Sequence, residues 1–112
     1  MNWLEDWKPL SFQNLAFHIY SLFISPNDVP SDELKDIIRR SYASFRAKDI
    51  CPLVTLDEKE HLHILELFHG PTFAFKDVAL QFLGNLFEYF LMRQNKDKAE
   101  VDRTRLTGKT LN

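Results

Sequence analysis

The sequence predicts an α/β chain that is mainly helical, with one or two short strands. Three observations carry that expectation. Apolar residues recur at helical spacing in three segments, residues 12–23, 34–45 and 76–93. Two short apolar runs, residues 50–56 and 62–68, flank the charged turn Asp57-Glu58-Lys59-Glu60. A Gly70-Pro71 break then separates the second run from the longest helical segment.

The elements follow in order. Pro9-Leu10-Ser11 reads as a helix start, with Ser11 placed to cap it. Phe12, Leu15, Ala16, Ile19, Leu22 and Phe23 form one apolar face, and Ser25-Pro26-Asn27-Asp28 ends the helix because proline is disfavoured beyond a first turn. Pro30-Ser31 opens the next helix, with Asp32 and Glu33 at the positive end of its dipole. Leu34, Ile37, Ile38, Tyr42 and Phe45 make its buried stripe, while Arg39, Arg40 and Arg46 lie toward its far end. These two helices are expected to pack as a hairpin.

In the second strand candidate, His61, His63, Leu65 and Leu67 alternate with Leu62, Ile64, Glu66 and Phe68. From Lys76 to about Arg93 the chain is apolar nearly all round, which predicts a helix covered on most sides. Residues 93–112 are polar, mixed in charge and without periodicity, which predicts a linker or frayed end. The expected organisation is a helical part over 1–56, a region over 57–93 that carries the chemistry, and a polar tail or linker over 94–112.

Composition narrows the function classes. At 112 residues the chain is the size of one modest domain, and 45% hydrophobic with 27% charged residues is ordinary for a soluble globular protein. Ten Phe, two Trp and three Tyr call for a bulky core. A net charge of −2 gives no reason to expect nucleic acid or an anionic membrane as partner. The opening residues around Trp3 and Trp7 do not form a secretory signal, and the apolar stretch 78–92 is shorter than the about 20 residues of a membrane span. Cys51 is the single cysteine, so no internal disulfide forms and a reducing, cytoplasmic setting is expected. Nothing in the residues sets an oligomeric state.

Chemistry concentrates in Glu66-Leu-Phe-His-Gly-Pro-Thr-Phe-Ala-Phe-Lys-Asp77. An ordinary helical lysine would hold its amine in solvent. Lys76 instead falls at the start of a helix, the wrong end of the dipole for a cation, among Phe73, Ala74, Phe75, Val78 and Ala79. Both effects disfavour the charged amine, as imine chemistry requires. His69-Gly70-Pro71-Thr72 reads as the turn that aims Lys76, with Gly70 supplying freedom and Pro71 rigidity. Thr72 either caps the helix or approaches a ligand, and Asp77 serves the helix N-terminus.

His61, His63 and His69 lack the cysteine or carboxylate partners of a metal site, so no metal is expected. Cys51 beside Pro52 reads as packed rather than nucleophilic. Arg39 and Arg40 read as a solvated face, and Trp3 and Trp7 as packing residues.

The segments Leu65-Glu66-Leu67-Phe68-His69-Gly70-Pro71-Thr72 and Ala74-Phe75-Lys76-Asp77 closely resemble the cofactor-attachment site of threonine synthases. In that family and its serine/threonine dehydratase relatives, the lysine of a Thr-x-Ala-Phe-Lys-Asp segment carries pyridoxal 5'-phosphate as a Schiff base. Together with Asp6-Trp7…Leu10-Ser11-Phe12, the resemblance extends over residues 3–93 and is to the eukaryotic, fungal-type branch. It implies the tryptophan-synthase-β-like fold of type II pyridoxal-phosphate enzymes, with the cofactor in a cleft between α/β domains. It implies conversion of O-phospho-L-homoserine and water to L-threonine and phosphate. Lys76 would be both cofactor-binding and catalytic, holding the resting aldimine and then moving protons at the substrate carbons.

The resemblance also implies that this is an internal piece. The family opens with a Tyr-x-Ser-Thr-Arg-like start and an Asp-Gly-Gly-Leu stretch, and follows its lysine helix with a Ser-Gly-Asp-Thr-Gly loop. Here the corresponding place reads Leu106-Thr107-Gly108-Lys109-Thr110-Leu111-Asn112. The phosphate-binding loop and the group facing the pyridine nitrogen match no residue of this sequence. The isolated chain is therefore expected to be inactive. The alternative is a non-catalytic helical interaction module derived from a threonine synthase-like gene.

Overall fold

A computed structural model describes residues 2–106 as α1 (Trp3–Trp7), α2 (Phe12–Tyr20), α3 (Ser31–Ala43), β1 (Leu53–Asp57), β2 (Leu62–Leu65) and α4 (Asp77–Leu106). The expected mainly helical architecture with a pair of short strands is present. Residues 107–112 of the expected tail lie outside the described residues.

The helix starts sit where the local signals put them. Ser11 Oγ accepts the Asn14 amide at 3.2 Å, and the Pro30 carbonyl receives the first helical bond of α3 from Leu34 at 2.9 Å. Ahead of both lies α1, which the sequence reading did not anticipate. Its Trp3 and Trp7 rings meet edge-on at 4.9 Å, and Trp7 stacks on His18 of α2 at 5.9 Å. The end of α2 departs from expectation. The helix stops at Tyr20 and tightens into turns, with Leu22 donating to Ile19 and Phe23 to Tyr20. Leu22 and Phe23 therefore swing outward instead of completing the buried face, and Ile24 packs against the core in their place.

The core lies between α2, α3 and the first turns of α4. Ala16, Leu34, Ile37, Ile38, Tyr42 and Phe82 meet there, with Val29, Phe45 and Ile50 from the connecting segments. Tyr20 stacks on Phe82 with centroids 3.9 Å apart. Arg39 and Arg40 both reach Asp36, at 2.6 and 3.0 Å, and Arg39 is exposed as expected.

Strands β1 and β2 form an antiparallel hairpin with Leu53 opposite Leu65, Val54 opposite Ile64 and Thr55 opposite His63, and an irregularity between Thr55 and Asp57. Both strands are shorter than the apolar runs suggested. Pro52 has no amide hydrogen to continue the ladder, so its carbonyl accepts one further bond from Glu66 at 2.9 Å and pairing ends. Ile50 is spent on the core instead. Every residue of the two strands is exposed.

Helix α4 corrects two expectations. It continues to Leu106 rather than giving way to a linker after Arg93, because residues 93–106 contain neither Gly nor Pro and are rich in good helix formers. It is also covered on one side only. Val78, Phe82, Leu86 and Tyr89 face the core, whereas Leu80, Leu83, Phe87, Leu91 and Met92 are exposed. Tyr89 hydroxyl donates to Glu33, and Arg93 Nη1 donates to the Asp28 carbonyl at 2.8 Å, tying α4 to α3 and the loop before it.

Candidate active site

The segment between β2 and α4 is a built turn whose hydrogen bonds can be followed residue by residue. Leaving β2, Glu66 and His69 pair at 2.9 Å between Oε1 and Nε2, both partly buried. Phe73 donates its amide to the Gly70 carbonyl at 3.1 Å and adopts φ 61°, a left-handed conformation that a bulky residue occupies only at a cost. Asp77 and Val78 then donate to the carbonyls of Ala74 and Phe75. Finally the Lys76 carbonyl accepts from Ala79 and Leu80, at 3.1 and 2.8 Å, so Lys76 stands at the cap position one residue ahead of α4.

The Asp77 carboxylate fixes the turn internally. It accepts the Thr72 amide at 2.9 Å, the Thr72 hydroxyl at 2.9 Å from both oxygens, and the Gln81 amide at 3.3 Å. The residue is 3% exposed. Burial would push its carboxyl up, but the bonds from Thr72 and Gln81 outweigh that and hold it below the ordinary carboxylate value. The open choice for Thr72 is thereby narrowed: its amide and hydroxyl are both engaged by Asp77.

The Lys76 side chain is exposed, as are Phe73, Phe75 and Ala79 beside it. The desolvating apolar pocket expected around the amine is not formed by the described residues. Its apolar neighbours are present in the sequence, but the fold turns most of them to solvent, on the side where Leu80, Leu83 and Phe87 are also uncovered.

Two residues that the sequence reading treated as structural act on this turn. Arg46 lies just beyond the end of α3. Its amide donates to the His69 carbonyl at 2.9 Å, and its guanidinium lies 4.2 Å from the Phe73 ring centroid. Tyr42, assigned to the buried stripe, also donates its hydroxyl to the Val78 carbonyl at 2.8 Å and meets the Tyr20 hydroxyl at 2.8 Å. No spacing signal in the sequence singles them out, because Arg46 lies beyond the end of α3 and acts through its contacts with the segment after β2.

The remaining candidates are dispersed. His61 lies in the hairpin turn with φ 52° and so does not share a strand face with His63, which bonds Thr55 at 3.0 Å. Among the described residues no group of three or more His, Cys, Asp or Glu is placed to hold a metal ion. Cys51 packs against the core as expected, and burial raises its thiol pKa. Among the described residues no helix is long and apolar enough to cross a membrane.

Comparison with known proteins gives consistent matches. The family described as "Threonine synthase N terminus" matches residues 1–42. Threonine synthase of Saccharomyces cerevisiae is 57% identical over 105 residues, a stretch that covers 92% of this chain and 20% of that protein. The crystal structure of threonine synthase from yeast superposes with a TM-score of 0.79 and 61% identity, covering 82% of this chain and 18% of the other. A structure described as PLP-bound threonine synthase from Brucella melitensis superposes with a TM-score of 0.69 and 36% identity, over 78% and 18%. The chain thus spans about a fifth of the length of the curated relatives it matches. In sequence and in fold it is related to the N-terminal part of threonine synthases.

Proposed function

We propose, for a chain related in sequence and in fold to the N-terminal part of threonine synthases, that it supplies the cofactor-anchoring segment of such an enzyme. The reaction is conversion of O-phospho-L-homoserine and water to L-threonine and phosphate. The observation that carries this reading is the turn itself: three donors held by the Asp77 carboxylate and the bonds from Arg46 and Phe73 fix the turn from which Lys76 projects. Surface lysines need no such scaffold, whereas an amine that must meet an aldehyde at one point does.

The described residues fit pyridoxal 5'-phosphate at its aldehyde end. An exposed primary amine at a fixed helix start can be reached by an aldehyde, and Lys76 offers one. Bound there, the cofactor supplies an electron sink for charge developing at the substrate carbons. Lys76 is the residue that would hold the cofactor, and its amine is placed to act as base and acid toward protons at the substrate carbons. Asp77 and Thr72 keep Lys76 in register through their bonds to each other. We read residues 1–56 as the helical part of the N-terminal domain and 57–93 as the start of the cofactor-binding region. The lone Cys51 supports a cytoplasmic setting.

Borohydride reduction of a cofactor-loaded, full-length threonine synthase carrying this segment, followed by peptide mapping, tests the assignment. The pyridoxyl label is expected on Lys76. A label on another lysine, with Lys76→Ala keeping the cofactor absorbance, refutes it.

A further inference from the structure

One arginine from outside the turn grips it at three alternate positions. The Arg46 amide donates to the His69 carbonyl at 2.9 Å, its Nη2 reaches the Pro71 carbonyl at 3.5 Å, and its guanidinium covers the Phe73 ring at 4.2 Å. Phe73 needs such a hold. Its φ of 61° is unfavourable for an aromatic residue, and the residue is 58% exposed, so burial contributes little to fixing it. Three residues further along the chain stands Lys76. On the other side of Lys76, Tyr42, the next-to-last residue of α3, donates to the Val78 carbonyl at 2.8 Å. The last turn of α3 and the residues just after it therefore hold the chain both before and after the amine.

We propose that Arg46 is a positioning residue for the Lys76 amine. By stacking on Phe73 it keeps the turn in its left-handed conformation, and that conformation sets where Nζ stands. The inference rests on the reading of Lys76 as the cofactor anchor. Arginine suits the task because a planar guanidinium can cover a ring with its face while its N–H groups reach a carbonyl. An ammonium is a point charge and supplies no planar face. A purely structural Arg46, bracing α3 against the segment after β2, would change stability and leave the kinetics of the folded enzyme alone.

The test uses a full-length threonine synthase carrying this segment, with Arg46→Ala, Arg46→Lys, Phe73→Leu and the Arg46→Ala/Phe73→Leu double variant. Arg46→Ala should lower kcat by about 10- to 100-fold, the scale of a small misplacement of a reacting group. KM should stay within about 2-fold, since no substrate contact is removed. Arg46→Lys should recover little of the loss. Phe73→Leu should match Arg46→Ala, and the double variant should lose no more than either, as coupled partners do. Amide exchange at Phe73 should be faster in Arg46→Ala. A pyridoxyl label on another lysine of the parent overturns the anchor reading, and the role of Arg46 with it. A label on Lys76 with unchanged kcat and unchanged exchange in Arg46→Ala overturns the Arg46 role alone, as does full additivity in the double variant. If Arg46→Ala fails to fold, Arg46→Lys and Phe73→Leu carry the same comparison.

Discussion

Asp77 closes on Gly70 so tightly that a Cβ at position 70 would lie 2.4 Å from both the Asp77 Cβ and its Oδ2. The requirement for glycine here is space, since the same carboxylate must sit there to receive the Thr72 and Gln81 donors. Backbone freedom, the role that Gly70 has on sequence grounds alone, is secondary to this close approach. Gly70→Ala must displace backbone-anchored atoms rather than the tip of a flexible side chain, and should cost about 1–3 kcal/mol. Urea denaturation checks this, and an unchanged midpoint would show that the turn yields freely.

Asp77→Asn should flatten the acid limb of stability. The Asp77 carboxyl is held below its ordinary value, so its contribution is present above about pH 4 and is lost as pH falls through the depressed value. Unfolding midpoints measured from neutral pH downward should converge for parent and variant in acid. A constant gap across the range would mean the charge of Asp77 is irrelevant.

Tyr42→Phe removes one hydroxyl from a buried chain of three groups. Tyr42 has a single hydroxyl hydrogen, which goes to the Val78 carbonyl, so Tyr20 must donate to Tyr42. The variant should lose about 1–2 kcal/mol. Burial, and then the bond with Tyr20, raise the Tyr42 phenol well above its ordinary value. Its stabilising effect is therefore complete below about pH 10 and lost above it, and Tyr42→Phe should lose less stability in alkali. Absorbance titration should show Tyr42 ionising above the ordinary phenol range.

Lys76→Arg should abolish turnover in the full-length enzyme, because a guanidinium stays protonated and can neither form the anchor nor exchange protons. The amine is exposed, so the melting curve should move by no more than an exposed substitution normally does, about 0.5 kcal/mol. Unfolding of the variant where the parent is stable would make Lys76 structural.

Purified as a 112-residue chain, the protein should self-associate. Leu80, Leu83, Phe87 and Leu91 fall at helical spacing on one uncovered side of α4, and the hairpin leaves Leu53, Leu56 and Leu62 exposed as well. Apolar surface of that extent is rarely left open on a soluble monomer. Light scattering should rise with concentration, and a sharp, concentration-independent monomer peak would contradict the expectation.

Much of the fold was legible because its signals are local. Ser11 caps α2 and Pro30 starts α3 through contacts within one turn, and an alternating run after a charged tetrapeptide suffices for β2. The position of Lys76 at a helix start was legible for the same reason, and the resemblance of residues 65–77 to a known attachment site needed no coordinates. The extra length of α4 was legible in principle, since residues 93–106 hold good helix formers, but a lack of apolar periodicity concealed it.

What the sequence by itself determined is where α2, α3 and α4 begin and that a lysine, Lys76, stands at the start of the last of them. Each depends on groups only a few positions apart, whose geometry the backbone already restricts. Only the tertiary structure decided that Arg46 covers Phe73, that Asp77 rather than backbone freedom requires Gly70, and that one side of α4 stays open. These follow from how α3 packs against the segment that leads from β2 into α4. No local propensity encodes the approach of side chains from two different elements, because it is set by the packing of the core between them.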